Sequence, residues 1–475
     1  MILMDNDLFI KTYIRLFVIN IEMSIMSYTT KSSEVFLSTG TRFPRRIIWA
    51  MGLIKYAAAK ANTVLGLLDP KIGSVIMKVS EELMRGDFDH MIVVDVFQTG
   101  SGTGLNMNVN EVIASIASER SGLKIHPNDH VNMCQSSNDV VPSAIRIAAV
   151  AEAVESLIPS MNRFISSLER LADRTRDVIK PGRTHLRDAL PVTMGQEFNA
   201  YVDAFRHDLD LINKVLPYIE ELPIGGTAVG TGLNAHPKFG EIVVEEIRRT
   251  SRLDFKVADS RFRAMRLLSD LVSLSSVLRT IAIDLIRLCQ DLRLMFSGPF
   301  TGLAEIDIPQ EIAGSSIMPG KTNPVTVEAS MLAAAQVIGL DTANSYSNLF
   351  GEFELSMAVP LIGYNIILQI SLIREAFDKM SVNVIDRIVP LRERSRELAE
   401  KSQALITLIS PLIGYDKASE ISKKIYRGEP LRKILKEMGF EDSEINRILD
   451  LERLTKPGIP VKDLEKNKKD QRGII

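Results

Sequence analysis

Apolar residues recur along this chain at the period of an α-helix, over runs too long for most other elements. Leu157, Met161, Phe164, Leu168 and Leu171 step by four and three, which lines one face of a helix through several turns. Met194, Phe198, Tyr201, Phe205, Leu209 and Ile212 make a second seam. A third, Met265 to Leu294, is nearly continuous in Leu, Val and Ile. A fourth starts at Pro324 and a fifth spans roughly Phe353 to Met380. Long helices must bury such stripes against one another, and the architecture that does so is an elongated bundle. Pro142 stands before the first seam. Pro159 and Pro360 fall inside the first and fifth and predict kinks there. Taken singly, each stripe asks only for core packing.

Composition narrows the functional classes. The chain has 475 residues, 45% hydrophobic and 24% charged, enough for two or three domains around a large core. Its formal net charge of −2 offers no basic surplus for nucleic acid or a membrane surface. The cysteines, Cys134 and Cys289, show neither CxxC nor Cys/His ligand spacing. A disulfide framework and a zinc site are therefore not expected, and a reducing cytoplasm fits. The apolar start, "MILMDNDLFIKTYIRLFVINIEMSIM", is interrupted by Lys11 and Arg15 and preceded by Asp5 and Asp7. It lacks the order of a signal peptide, so a misassigned start or loose tail is expected, with Met23 or Met26 as the true start. "MAVPLIGYNIILQISLI", Met357 to Ile373, is shorter than the ~20 residues of a membrane span and reads as the buried centre of a bundle.

These patterns divide the chain into an N-terminal extension over 1–30, a mostly helical region over 31–138, a central helical bundle over 139–395, and a small C-terminal helical region with a charged tail over 396–475. In the last, "PLIGYDKASEISKKIYRGEPLRKILKEMGF" predicts short helices around a Gly-Glu-Pro turn, and "KDLEKNKKDQR" a solvated tail.

Four polar segments break local preference, which happens most often at functional sites. "TGSGTGLNMNVNEV", Thr99 to Val112, follows the strand-like "MIVVDVF". The dinucleotide fingerprint would need glycine where Leu105 stands. Asn106, Asn108 and Asn110 are poor helix-interior residues. Ser101, Thr103 and Asn106 suit either a capping cluster or a nest for a small polar anion. In "NMCQSSNDVVP", Ser136, Ser137, Asn138 and Asp139 stand just before a helix, where hydroxyls and free N–H groups bind anions. A plain N-cap needs one such residue, not four. "KPGRTHLRDALPVTMGQE" carries Thr184 and His185 in a loop feeding a helix. The fourth, "GSSIMPGKTNP", ends like a phosphate-binding loop in Gly320, Lys321 and Thr322. Gly314 lies one residue too far upstream, however, and Pro319 has no N–H to donate. It reads instead as a mobile loop with glycine hinges, followed by Asn323 as N-cap and Pro324 at the first helical position, with Glu328 on the first turns. A serine, a lysine and an amide so close together suit a carboxylate better than a triphosphate.

Together and in this order, the four segments resemble the fumarase/aspartase superfamily over about Lys31 to Pro457, and within it the class II fumarases. "THLRDA" carries His185 where aspartases typically place glutamine, and "QSSND" carries Ser137 where they typically have threonine. "GGTAVGTGLNAHP", Gly225 to Pro237, also resembles the fumarase form. Thr322, Arg187 and His130 depart from the common pattern. The resemblance implies a mainly α, three-domain subunit with a central long-helix bundle. Four such subunits would form a homotetramer whose central helices assemble into a multi-helix bundle, with each active site built from three chains. It further implies reversible, cofactor-free hydration of fumarate to L-malate, with no metal, no nucleic acid and no membrane partner.

Carried over by position, Ser315 matches the loop base that removes the C3 proton, with Ser316 beside it. Lys321 and Asn323 match the groups on the adjoining carboxylate. His185, supported by Glu328, matches the group handling water. Ser101, Thr103, Ser136, Ser137, Asn138 and Thr184 match substrate contacts. "HPND", with His126, Asn128 and Asp129, matches a second anion site. The residue types fit the chemistry. Removing a C–H proton beside a carboxylate piles charge onto it as an aci-carboxylate, and prepositioned donors lower that barrier by several kcal/mol. The competing readings are an aspartate ammonia-lyase or another lyase releasing fumarate, a nucleotide hydrolase, and a non-catalytic helical scaffold.

Overall fold

The computed structural model describes residues 27–309, 314 and 316–458. The expected loose start over 1–26, the charged tail and Ser315 lie outside them. Mainly helical, the chain forms two compact units. One comprises Met1–Ser160, Asp208–Ile283 and Ala333–Glu375; the other comprises Met161–His207, Asp284–Leu332 and Ala376–Ile475.

The five apolar seams are helices: Ile158–Arg174, Met194–Ile219, Ser269–Phe296, Val325–Ser347 and Val359–Asn383. Proline sets their ends more often than their bends. Pro360 is the second residue of its helix rather than a mid-helix kink, where its missing N–H costs nothing. Pro159 follows a π-helical turn, Ala153–Leu157, that absorbs the break in the hydrogen-bond ladder. Pro142, expected before a helix, sits inside Ser137–Glu152. There the Arg146 guanidinium donates to its carbonyl at 3.2 Å. The third seam is broken once, where Arg261–Arg266 ends and Ser269–Phe296 begins.

In the first unit, Arg45–Val64 packs on Pro70–Arg85, Ser137–Glu152 and Phe239–Ser251, while Thr103–Ser121 packs on Pro70–Arg85 and Ser27–Val35. Two buried polar links tie the long helices. Arg146 pairs with Asp270 at 2.8 Å. Ser275 Oγ, Asp341 and Gln369 meet in a cluster where Ser275 lies 2.8 Å from Asp341. In the second unit, Phe164 stacks on Phe377 and Phe205 meets both edge to face, at 4.6 to 5.6 Å between centroids. Among the described residues, strands occur only as two-stranded pairs. The longest is the hairpin Ile179–Thr184 with Arg187–Thr193, irregular between Pro181 and Arg183. Its Ile179 packs into the C-terminal core of Leu405, Ile409, Ile421, Leu435 and Ile445. The Gly-Glu-Pro turn falls between the helices Tyr415–Tyr426 and Leu431–Glu437, as expected. Among the described residues, no helix is long and apolar enough to cross a membrane.

Candidate active site

The first unit holds the first two polar segments. Thr103 opens the helix Thr103–Ser121 behind Gly102 at φ 80°. The hydroxyls of Ser101 and Thr103 lie 2.8 Å apart. Asn106, Asn108 and Asn110 are buried inside this helix despite their poor propensity; for Asn106 and Asn108, tertiary bonds outweigh a few tenths of a kcal/mol of preference. Asn108 accepts from the Val93 N–H at 2.9 Å and donates to the Met91 carbonyl at 3.0 Å. "MIVVDVF", expected as a strand, is therefore a coil bound by side chains, with Asp95 accepting from Thr39 and Phe97 N–H groups.

The second segment is both a cap and something more. Ser136 caps Ser137–Glu152: its Oγ accepts the Asn138 N–H at 3.2 Å, and Asp139 accepts the Ser136 N–H at 2.9 Å. The other Asp139 oxygen accepts the Gly225 and Thr227 N–H groups at 3.0 and 2.9 Å, which ties the "GGTAVGTGLNAHP" loop to this helix start. The cap thus uses Ser136 and Asp139. Ser137 and Asn138 remain half-buried at the helix N-terminus, where the dipole favours negative charge. Asn138 Nδ2 also donates to the Ala228 carbonyl at 2.9 Å.

Below this helix start lies a residue the sequence reading missed. Lys55 is fully buried in Arg45–Val64. Its Nζ donates to Asn106 Oδ1 at 2.8 Å, Asn132 Oδ1 at 3.0 Å and Gln135 Oε1 at 2.9 Å. Burial pulls its pKa down to about 7 against the attraction of Asp139. Burial likewise pushes Asp139 up to about 6, against its backbone donors and Lys55. The available signal was a lone charge within the apolar "AMGLIKYAAA".

The "HPND" motif forms a π-helical turn, Pro127–Val131, capped by His126. His126 Nδ1 accepts the Asn128 and Asp129 N–H groups at 3.2 and 3.1 Å. An Nδ1 that accepts carries no proton, so its 3.3 Å approach to Asp129 is not a charged pair in this arrangement.

The second unit holds the other two segments. Thr184 and His185, read as a loop, stand at the tip of the hairpin, where His185 and Leu186 have φ of 54° and 59° and are exposed. Two positive φ values in a two-residue turn match the twist of the flanking strands. Charge anchors the hairpin's base. Fully buried Glu305 takes Arg183 at 2.8 Å and Lys180 at 3.4 Å, and Lys180 also meets Glu197 at 2.7 Å. His185, Arg183, Lys180, Glu197 and Arg287 line a cavity of about 490 Å³.

In "GSSIMPGKTNP" the loop closes on itself. The Gly314 N–H donates to the Lys321 carbonyl, and Asn323 Nδ2 to the Gly314 carbonyl, both at 2.8 Å. Asn323 therefore bridges the loop, where an N-cap was expected, and the helix starts at Val325. Gly320 adopts φ 79°. Ser316 and Lys321 are exposed and Asn323 and Glu328 half-buried. Among the described residues of one chain, no hydrogen bond or ion pair joins His185 to Glu328, and no group of three or more His, Cys, Asp or Glu could hold a metal ion.

The chain is similar to known proteins along most of its length. A family described as "Lyase" matches residues 26–339 and one described as "Fumarase C C-terminus" matches residues 405–456. A class II fumarate hydratase of Saccharolobus solfataricus is 61% identical over 439 residues, covering 92% of this chain and 100% of that one. One from Corynebacterium glutamicum is 41% identical over 88% of each. The crystal structure of a class II fumarase from Schistosoma mansoni superposes with a TM-score of 0.87 at 34% identity, covering 90% of this chain and 95% of that one. With the four polar segments in family order and matches along nearly the whole chain, this protein belongs to the class II fumarases of the fumarase/aspartase superfamily.

Proposed function

We propose that this chain catalyses the reversible hydration of fumarate to L-malate in the cytoplasm, as a homotetramer and without metal or nucleotide. The observation that carries this reading is the 61% identity to a class II fumarate hydratase over that protein's full length. His185 in "THLRDA" favours the hydratase over the ammonia-lyase. Exposed Leu332, Leu349 and Phe353, each at least 74% accessible in the single chain, support subunit packing, since large apolar side chains in such numbers mark an interface.

In this reading, Ser315 removes the C3 proton of malate, and Lys321 and Asn323 hold the adjoining carboxylate as it gains charge. The loop places an ammonium and a carboxamide within three residues, held by the Gly314 bridges, and this is a donor array suited to an aci-carboxylate. A serine works as a base only when a neighbouring cation stabilises its alkoxide and water is excluded. His185, with Glu328 from another chain, handles the water. Ser101, Thr103, Ser136, Ser137, Asn138 and Thr184 contact substrate, Ser316 lies beside the base, and His126, Asn128 and Asp129 form a separate anion site.

The test is ultraviolet absorbance of the purified protein with malate or fumarate, since only fumarate carries the conjugated double bond. Interconversion unaffected by EDTA is expected. Release of ammonia from aspartate without malate turnover would overturn the hydratase reading, and metal-dependent rescue after EDTA would overturn the cofactor-free one.

A further inference from the structure

A lysine with no exposed surface is expensive, and an apolar residue of the same length would cost less at a site that only needed filling. Lys55 is 0% exposed, and among the described residues no carboxylate lies within ion-pair distance of it. Its acceptors are three side-chain amides on two further segments: Asn106 in Thr103–Ser121, and Asn132 and Gln135 before Ser137–Glu152.

An ammonium can only donate. Each of the three amides must therefore turn its oxygen toward Lys55 and its NH2 group away. For Gln135 the NH2 goes to the Val131 and Met133 carbonyls at 3.0 and 3.1 Å, and for Asn132 to the Gln135 carbonyl at 3.2 Å. For Asn106 the two protons go to Asn132 Oδ1 at 3.1 Å and Ser137 Oγ at 3.0 Å. Ser137 thus accepts from inside the protein. Its single proton, for which the hydrogen bonds of the described residues supply no acceptor, is left to point away from Asn106.

We propose that Lys55 is a positioning residue: its ammonium orients Asn106, and Asn106 orients Ser137 so that the hydroxyl presents its proton to a carboxylate of the substrate. This deepens the hydratase reading and rests on it. The chain of donors runs one way, from buried ammonium to carboxamide to hydroxyl, so each bond polarises the next toward the anion. Without Lys55, the Asn106 carboxamide is free to rotate and offer its oxygen to Ser137, which would turn the hydroxyl proton inward.

The experiment is steady-state kinetics on the full-length protein at a pH below 7, where Lys55 holds its proton. Lys55→Met should raise KM for fumarate and for malate about tenfold and change kcat less than about threefold, as loss of ground-state binding does. In a Ser137→Ala background the same substitution should add less than about twofold, because its effect passes through that hydroxyl. A KM rise that persists undiminished in the Ser137→Ala background would overturn the relay and leave Lys55 a structural residue. Asn106→Ala breaks the relay while Lys55 keeps two acceptors, and it carries the test should Lys55→Met fail to fold. It should raise KM similarly, and wild-type KM in Asn106→Ala would overturn the proposal. Absence of fumarate turnover in the unmodified protein would instead sink the hydratase reading.

Discussion

Asn106, Asn108 and Asn110 lie in a helix that their propensities oppose, and Lys55 lies in a core that its charge opposes. Asn106, Asn108 and Lys55 are held by partners distant in sequence, so the cost of one residue is offset by the capacity of another. The lysine leaves a mark in titration. Its ordinary pKa of 10.5 falls to about 7 because burial disfavours the ammonium. Between those values the unfolded chain binds a proton that the folded chain has released, so stability rises with pH across that window. The effect is full above the ordinary value and absent below the folded one. Melting temperatures of the wild type and Lys55→Met, compared from about pH 7 to about pH 10, should show the wild type gaining steadily on the variant. A constant gap would mean that the folded protein keeps Lys55 protonated throughout.

At the scale of elements, the two segments that break helical periodicity in the second unit are held differently. The hairpin that carries Thr184 and His185 is pinned from below by Lys180, Arg183 and buried Glu305. The Gly314–Asn323 loop is bridged by short bonds between its own two ends. Gly314 is required for close approach: a Cβ there would lie 2.5 Å from the Asn323 N and 2.8 Å from the Thr322 carbonyl carbon. Gly314→Ala should therefore push apart the segment that holds Lys321 and Asn323. Because the loop is largely exposed, the cost should appear in catalysis rather than in folding. We expect kcat/KM to fall roughly tenfold or more, as small misplacements of positioned groups do, with a melting temperature within a few degrees of wild type. A comparable loss of both would show that the loop supports the fold.

For the whole molecule, the proposed site includes His185 and Glu328, which no hydrogen bond or ion pair of the described residues joins within one chain. A site shared between subunits predicts complementation. Under the proposed mechanism, Ser315→Ala chains would lack the base everywhere, and His185→Ala chains would lack the water-handling group everywhere. When the two are mixed, dissociated and reassembled, some sites receive Ser315 from one parent and His185 from the other. Activity should rise well above either parent, with an affinity tag on one chain confirming exchange. Parental activity in proven mixed tetramers would place both residues in a site of one chain.

Periodicity was enough to find the long helices, because a 3.6-residue repeat of apolar side chains is written locally and survives without knowledge of neighbours. Motif order was enough to find the family, since Ser136 to Asn138, Thr184, His185 and Lys321 to Asn323 stand in short contiguous runs. Proline was misread where its neighbourhood decided the outcome. Pro360 became a helix start and Pro159 was absorbed by a π-helical turn. The hairpin at His185 stayed hidden because its strands are stabilised by buried charge and by the C-terminal core rather than by alternating apolar residues. Lys55 stayed hidden for the same physical reason. Its role depends on Asn106, Asn132 and Gln135, between 51 and 80 residues away, and only the folded chain brings three amide oxygens to one ammonium.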